Sequence, residues 1–252
     1  MTRRLLGLVL LLAGASPAAA QSRVQFLPRF DFHLAANHLS GDDERFVWDA
    51  NLGGDLDFVD YGRGRLRFAG NFEAVLGEEY HIFDPNQGNY QLDSSTSLRA
   101  GGVEFAAIFH HVSRHLSDRF KEIPVDWNMF GVDVEHETHP AGMTLRSRGQ
   151  LFGVLLKSNV DYNWESTSGV DLMAPVSPHI GLITGGGVRV VGVDETRSRS
   201  TQVGGRVEGG VRFEGAAGSL EVVVAAERRI DAYPLDDEPR SWVSAGFRFV
   251  SR

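Results

Sequence analysis

From residue 24 onward the chain alternates apolar and polar residues with a period of two, a rhythm that only extended strands with two different faces can use. Over residues 46–59, Phe46, Trp48, Ala50, Leu52, Leu56 and Phe58 fall on one face, and Asp49, Asn51, Asp55 and Asp57 on the other. Residues 64–76 set Leu66, Phe68, Phe72, Ala74 and Leu76 against Arg65, Arg67, Asn71 and Glu73. The same rhythm returns over 24–36, 202–213, 219–229 and 242–250. Between these segments lie turn signals such as Asp60-Tyr61-Gly62-Arg63-Gly64 and Gly215-Ala216-Ala217-Gly218, and longer polar stretches at 37–45, 77–90 and 231–240. The spacing predicts ten strands, roughly 24–36, 46–59, 64–76, 91–114, 125–136, 143–163, 169–193, 200–213, 218–230 and 241–250. Three of these, 91–114, 143–163 and 169–193, are long for one crossing. Folding 91–114 at Arg99–Gly102 and 169–193 near Gly185-Gly186-Gly187 raises the count to twelve. Helical periodicity is confined to a short turn expected within 114–122.

Residues 1–20 carry a basic start at Arg3 and Arg4, an apolar run from Leu5 to Ala15, a break at Pro17 and a small-residue site at Ala18-Ala19-Ala20. That is the pattern of a secretory signal peptide, with a single domain expected over 21–252. No cysteine is present, so an exported chain of this size must be stabilised by a large core or by a membrane rather than by disulfides. The formal net charge is −8, and it becomes more negative once the two leader arginines are gone. An acidic balance argues against nucleic-acid partners, which demand a basic face.

Alternation alone does not say whether the apolar face meets lipid or a protein core. Three features favour lipid. The strands exceed the usual five or six residues. Their polar faces carry both signs of charge, suited to pairing across a narrow lumen. A leader without cysteine fits an outer-membrane barrel. The chain ends Phe249-Val250-Ser251-Arg252, so the terminal aromatic common in such barrels is displaced. The expectation is an all-β, up-and-down antiparallel transmembrane barrel of ten to twelve strands in the outer membrane. It should be a monomer with membrane lipid and the outer-membrane assembly machinery as partners, with no cofactor or metal, and with a charge-filled lumen rather than an open pore. The competing architecture is a secreted soluble β-barrel that binds an apolar ligand inside.

Residues 109–120, Phe-His-His-Val-Ser-Arg-His-Leu-Ser-Asp-Arg-Phe, hold the chemistry. On a strand His111, Ser113 and His115 share one face, with Cβ atoms of successive members roughly 6–7 Å apart. A serine hydrolase needs a base beside its nucleophile and a group that orients the base. His111 and Ser113 supply the first pair, and His115 or Asp118 is a candidate orienter. The stretch resembles a family of outer-membrane barrels of uncharacterised function marked by His-x-Ser-Ser-His-Leu-Gly-Asp-Glu. His111, Ser113, His115, Leu116 and Asp118 match, whereas Arg114, Ser117 and Arg119 depart from it. Leu98-Arg99-Ala100-Gly101-Gly102 is similar to that family's lead-in strand. A looser resemblance is to outer-membrane phospholipase A and the lipid A deacylases, which carry His-x-Ser-Asn-Gly. His111 and Ser113 match, and Arg114 and His115 stand in place of Asn and Gly. This second resemblance implies a base role for His111 and a nucleophile role for Ser113, acting on phospholipid or lipid A esters.

Three further motifs are weaker. His38-Leu39-Ser40 echoes His115-Leu116-Ser117, and a meaningful echo requires both at one end of the barrel. Asp42, Asp43 and Glu44 read first as a solvated acidic loop and second as ligands for a hard cation. His136-Glu137-Thr138-His139 lacks the spacing of a zinc protease helix, and Pro140 follows at once.

Overall fold

The computed structural model describes residues 24–117, 120 and 123–251. The leader over 1–20 and Asp118 lie outside them. Twelve strands form one closed antiparallel barrel in up-and-down order: β1 (Gln25–Leu39), β2 (Trp48–Asp60), β3 (Arg65–Gly77), β4 (Asp84–Ala100), β5 (Val103–Leu116), β6 (Val125–Thr138), β7 (Thr144–Ser158), β8 (Tyr162–Ser177), β9 (Ile180–Val193), β10 (Gln202–Glu214), β11 (Gly218–Arg229) and β12 (Arg240–Ser251). The ring closes where β1 pairs with β12, from His33 opposite Val250 to Leu39 opposite Ser244.

The fold at Arg99–Gly102 is observed, with Gly101 and Gly102 forming a tight β4–β5 turn at left-handed φ angles that favour glycine. The second expected fold is elsewhere. Segments 143–163 and 169–193 become β7, β8 and β9, and the β8–β9 turn falls at Pro178-His179. Gly185, Gly186 and Gly187 lie within β9, where they relieve crowding instead of making a turn. A Cβ at Gly187 would sit 2.9 Å from the Ser168 carbonyl oxygen, and one at Gly185 only 2.2 Å from Asp171 Oδ1. β4 also starts earlier than expected, at Asp84. Its first turn of strand buries Asp84, Asn86, Gln87 and Asn89, and such a polar sequence reads as loop until a polar lumen is there to receive it. Arg114–Leu116 continue β5 rather than starting a helical turn.

The greasy faces point outward. Phe30, Phe68, Phe105, Phe130, Leu151, Val207 and Val224 are all exposed on the outer surface, while Arg65 is 8% and Asp49 4% exposed inside. A soluble barrel with an apolar interior is the reverse of this arrangement. A continuous outer apolar band is what hydrocarbon solvates, and closing the sheet leaves no unpaired edge to face it.

The lumen is lined and crossed by ion pairs. Arg65 reaches Asp57, Glu104 and Glu135, and Arg148 reaches Asp133 and Glu135. Arg229 on β11 spans to Asp49 on β2 and Glu73 on β3, and also holds Glu227. All but two of the basic residues, Lys121 and Lys157, are arginine. The planar fork of arginine can serve two or three carboxylates at once, which a lysine ammonium does less well.

The seam gives a stability prediction. Gly246 lies opposite Asn37, and a Cβ there would sit 2.1 Å from the Ala36 carbonyl oxygen. Gly246→Val is expected to cost about 1–3 kcal/mol, as overpacking does, and to lower the temperature at which the folded form disappears from unheated gels. An unchanged transition would show that the seam yields without strain.

Candidate lipid-facing hydrolase site

The β5 strand sorts its residues by parity. Glu104, Ile108, His110, Val112 and Arg114 face the lumen, and Phe105, Phe109, His111, Ser113 and His115 face outward. His110 accordingly leaves its neighbour. Its Nδ1 pairs with Asp93 in the lumen, and its ring lies 5.4 Å from that of Phe152. His111, Ser113 and His115 instead extend the row that begins with two phenylalanines.

Across the hairpin, β6 alternates in the same way. Trp127, Met129 and Asp133 point inward, while Asn128, Phe130 and Val132 point outward. His111 is the register partner of Asn128, and its Nδ1 lies 2.9 Å from Asn128 Oδ1. With the amide oxygen facing the ring, Nδ1 is the donor in this contact. The Ser113 Oγ lies 2.8 Å from His115 Nε2. His115 therefore touches the hydroxyl, and Asn128 is the group on the His111 ring.

The surroundings are aromatic on one side and aliphatic on the other. Ser113 lies across from Tyr90 on β4. The Tyr90 ring stands 5.6 Å from His115, edge to face, and 5.1 Å from Phe72 on β3. On the far side Asn128 pairs with Leu156, and a bulge on β7 adds Leu155, so both leucines project outward. Below the site, toward mid-membrane, Phe109, Leu92 and Phe130 continue the outer surface.

The polar residues that sequence reasoning singled out, His111, Ser113 and His115, are thus brought together on one surface. Asn128 was missed. A signal for it existed, because β6 places Asp126 and Asn128 on the same face as Phe130 and Val132. Polar groups on a lipid-facing row are costly to keep without partners. Reading that signal requires the β5–β6 register, which the sequence does not print.

β1, β3, β5, β9 and β11 run into the longer connections, β7 at the same end runs into the short 159–161 link, and the turns at the other end are short. In outer-membrane barrels the longer loops are extracellular. The site at the end of β5 is therefore on the outer side. His38-Leu39-Ser40 ends β1 at that same side, as the echo requires. In the β1–β2 loop the Arg45 side chain bonds to Asp43 and holds its carboxyl below the usual aspartate range, and Arg240 adds a second contact. Among the described residues, no cluster of three or more histidine, aspartate or glutamate side chains is placed to hold a metal.

No family model matches the chain, and no curated protein resembles it closely in sequence. Solved structures do resemble it. Outer membrane phospholipase A from Escherichia coli superposes with a TM-score of 0.54 at 12% identity, covering 89% of this chain and 97% of that one. The Salmonella typhi outer membrane phospholipase, a dimer with bound calcium, gives 0.54 at 11% identity, covering 89% and 91%. An active-site asparagine-to-alanine variant of the Escherichia coli enzyme gives 0.54 at 10% identity, again covering 89% and 91%. This protein is an outer-membrane β-barrel. At such identities the likeness speaks to the fold, and the chemistry must be argued from the side chains.

Proposed function

We propose that the protein is a serine ester hydrolase that works on acyl lipids of the outer leaflet, with Ser113 as nucleophile, His111 as base and Asn128 as the group that orients the base. The observation that carries this reading is the His111–Asn128 hydrogen bond beside Ser113 on the lipid-facing surface. An Nδ1–H donated to Asn128 in the neutral ring leaves Nε2 as the nitrogen that takes a proton, which supports the base role. The active site of the Escherichia coli phospholipase also includes an asparagine, as its alanine variant records, which supports the assignment of Asn128.

In the resting state the Ser113 hydroxyl rests on His115. Attack in this reading requires the hydroxyl to rotate about the Ser113 Cα–Cβ bond, away from His115 and toward His111 Nε2. As Ser113 Oγ attacks the ester carbonyl, His111 Nε2 takes the hydroxyl proton and then gives it to the departing alcohol. Water, activated by the same nitrogen, releases the fatty acid and frees the serine. A site on the outer wall is reached from the bilayer rather than from the lumen. Tyr90 and Phe72 on one side, and Leu155 and Leu156 on the other, give acyl chains an apolar bed.

The asparagine is the part that distinguishes this arrangement from two polar residues on a strand end. Purified barrel in phospholipid mixed micelles, or with lipid A, is expected to release fatty acid. Asn128→Ala should slow release by about a hundredfold, the lower range for acid–base catalysis, with folding intact by heat-modifiable mobility. Equal rates for Asn128→Ala and the native chain would remove Asn128 from the mechanism.

A further inference from the structure

The β11–β12 connection, residues 230–239, does not remain above its own strands. Ile230, Asp231 and Ala232 are all buried. Arg114 on β5 donates to the carbonyl oxygens of Asp231 and Ala232, and Gln87 on β4 donates to that of Ala232 at 3.2 Å. In the ring of twelve, β5 stands six strands from β11, on the opposite wall. The chain therefore crosses the bore. Asp231 makes the inward turn with a left-handed φ of 46°. Its carboxylate accepts from the Tyr162 hydroxyl at 2.5 Å and from Arg199 at 2.7 and 2.9 Å. Ile230 joins a buried cluster with Val112, Trp127 and Phe152.

Beneath this strap the bore is not solid. A cavity of about 410 Å³ lies directly under Ile230 and Arg114. It shares Asp93, Arg148 and Glu227 with a second of about 510 Å³. The second shares Asp55 and Arg67 with a third of about 500 Å³, which extends to Gly102 and His136 at the short-turn end. The walls carry both signs of charge throughout, so water and small ions of either sign find partners there. Cross-lumen pairs such as Arg229 with Glu73 lie between the first two cavities and line both.

We infer that the lumen is a latent aqueous conduit for small hydrated ions, open from the short-turn side and sealed at the outer mouth by the 230–239 strap. This function is separate from ester hydrolysis, because the strap lines the bore and the hydrolase residues lie on the outer wall. Arg229 and Arg240 are already register partners, so a two-residue Asn-Gly turn can replace the strap without disturbing the hairpin.

In planar lipid bilayers the native protein is expected to be silent, and the Asn-Gly variant to show discrete conductance steps. Heat-modifiable mobility checks that the variant is folded. Arg114→Ala combined with Arg199→Ala, which keeps the strap and removes its two arginine anchors, should give intermittent steps and serves if the shortened chain fails to assemble. The chain lacks cysteine, so Gln87→Cys with Ala232→Cys can tie the strap shut on the double-arginine background. Oxidation should abolish those steps and reduction restore them. Silence from both a folded Asn-Gly variant and the double-arginine variant would overturn the proposal, because the ion pairs alone would then seal the bore. Conductance of the native protein equal to that of the strapless one would overturn it equally.

Discussion

Ser113→Ala is expected to abolish fatty-acid release from outer-membrane lipid, by a factor on the order of 10³ or more, while leaving the barrel folded. Magnitudes of this order follow when a nucleophile and its base act as a unit, because either alone contributes little. His111→Ala should fall to the same residual rate, and the double variant should be no worse than either single one. His115→Ala should lose less. In the structure His115 holds the resting hydroxyl but does not carry the Asn128 contact that orients a base. Ser117→Ala, one turn of chain away, should behave as the native protein. Fatty-acid release from mixed micelles reads all five, and heat-modifiable mobility separates lost chemistry from lost fold. Full activity in both Ser113→Ala and His111→Ala would mean that the row of polar groups on the outer wall is not an active site.

The second large effect concerns the lumen. Arg229→Ala should destabilise the barrel by roughly 3–5 kcal/mol, the cost of breaking a buried ion pair from one side. Its guanidinium contacts Asp49, Glu73 and Glu227 from three different strands. Removing it leaves three carboxylates facing one another across a narrow space. Adding Asp49→Asn and Glu73→Gln to the same chain should recover much of the loss, because the repulsion goes with the charges. Urea midpoints in detergent measure both. A midpoint for Arg229→Ala equal to the native value would show that luminal water screens the network fully. A triple variant no better than the single one would show that packing, and not charge, was lost.

The strand content was legible because period two is written in six of the segments. Phe46 to Phe58 and Leu66 to Leu76 could be read residue by residue. The β4–β5 turn was legible too, since Gly101-Gly102 is a turn signal inside an over-long strand. The glycines of β9 misled, because glycine serves turns and close strand packing alike, and only the neighbouring Ser168 and Asp171 reveal which. The start of β4 misled for a related reason. Asp84, Asn86 and Gln87 look like loop residues until a polar interior exists to bury them.

The candidate site divides in the same way. His111, Ser113 and His115 share a face by strand geometry alone. Asn128 is seventeen residues away and enters only through the β5–β6 register.

By itself the sequence determined the alternation, the long strands and the pairing of acidic with arginine-rich faces, because side-chain direction along a strand is local geometry. Which strand lies beside or opposite another is a property of ring closure. Only the closed barrel therefore decided that phenylalanines meet lipid, that Asn128 reaches His111, and that the chain after Ile230 crosses the bore to Arg114.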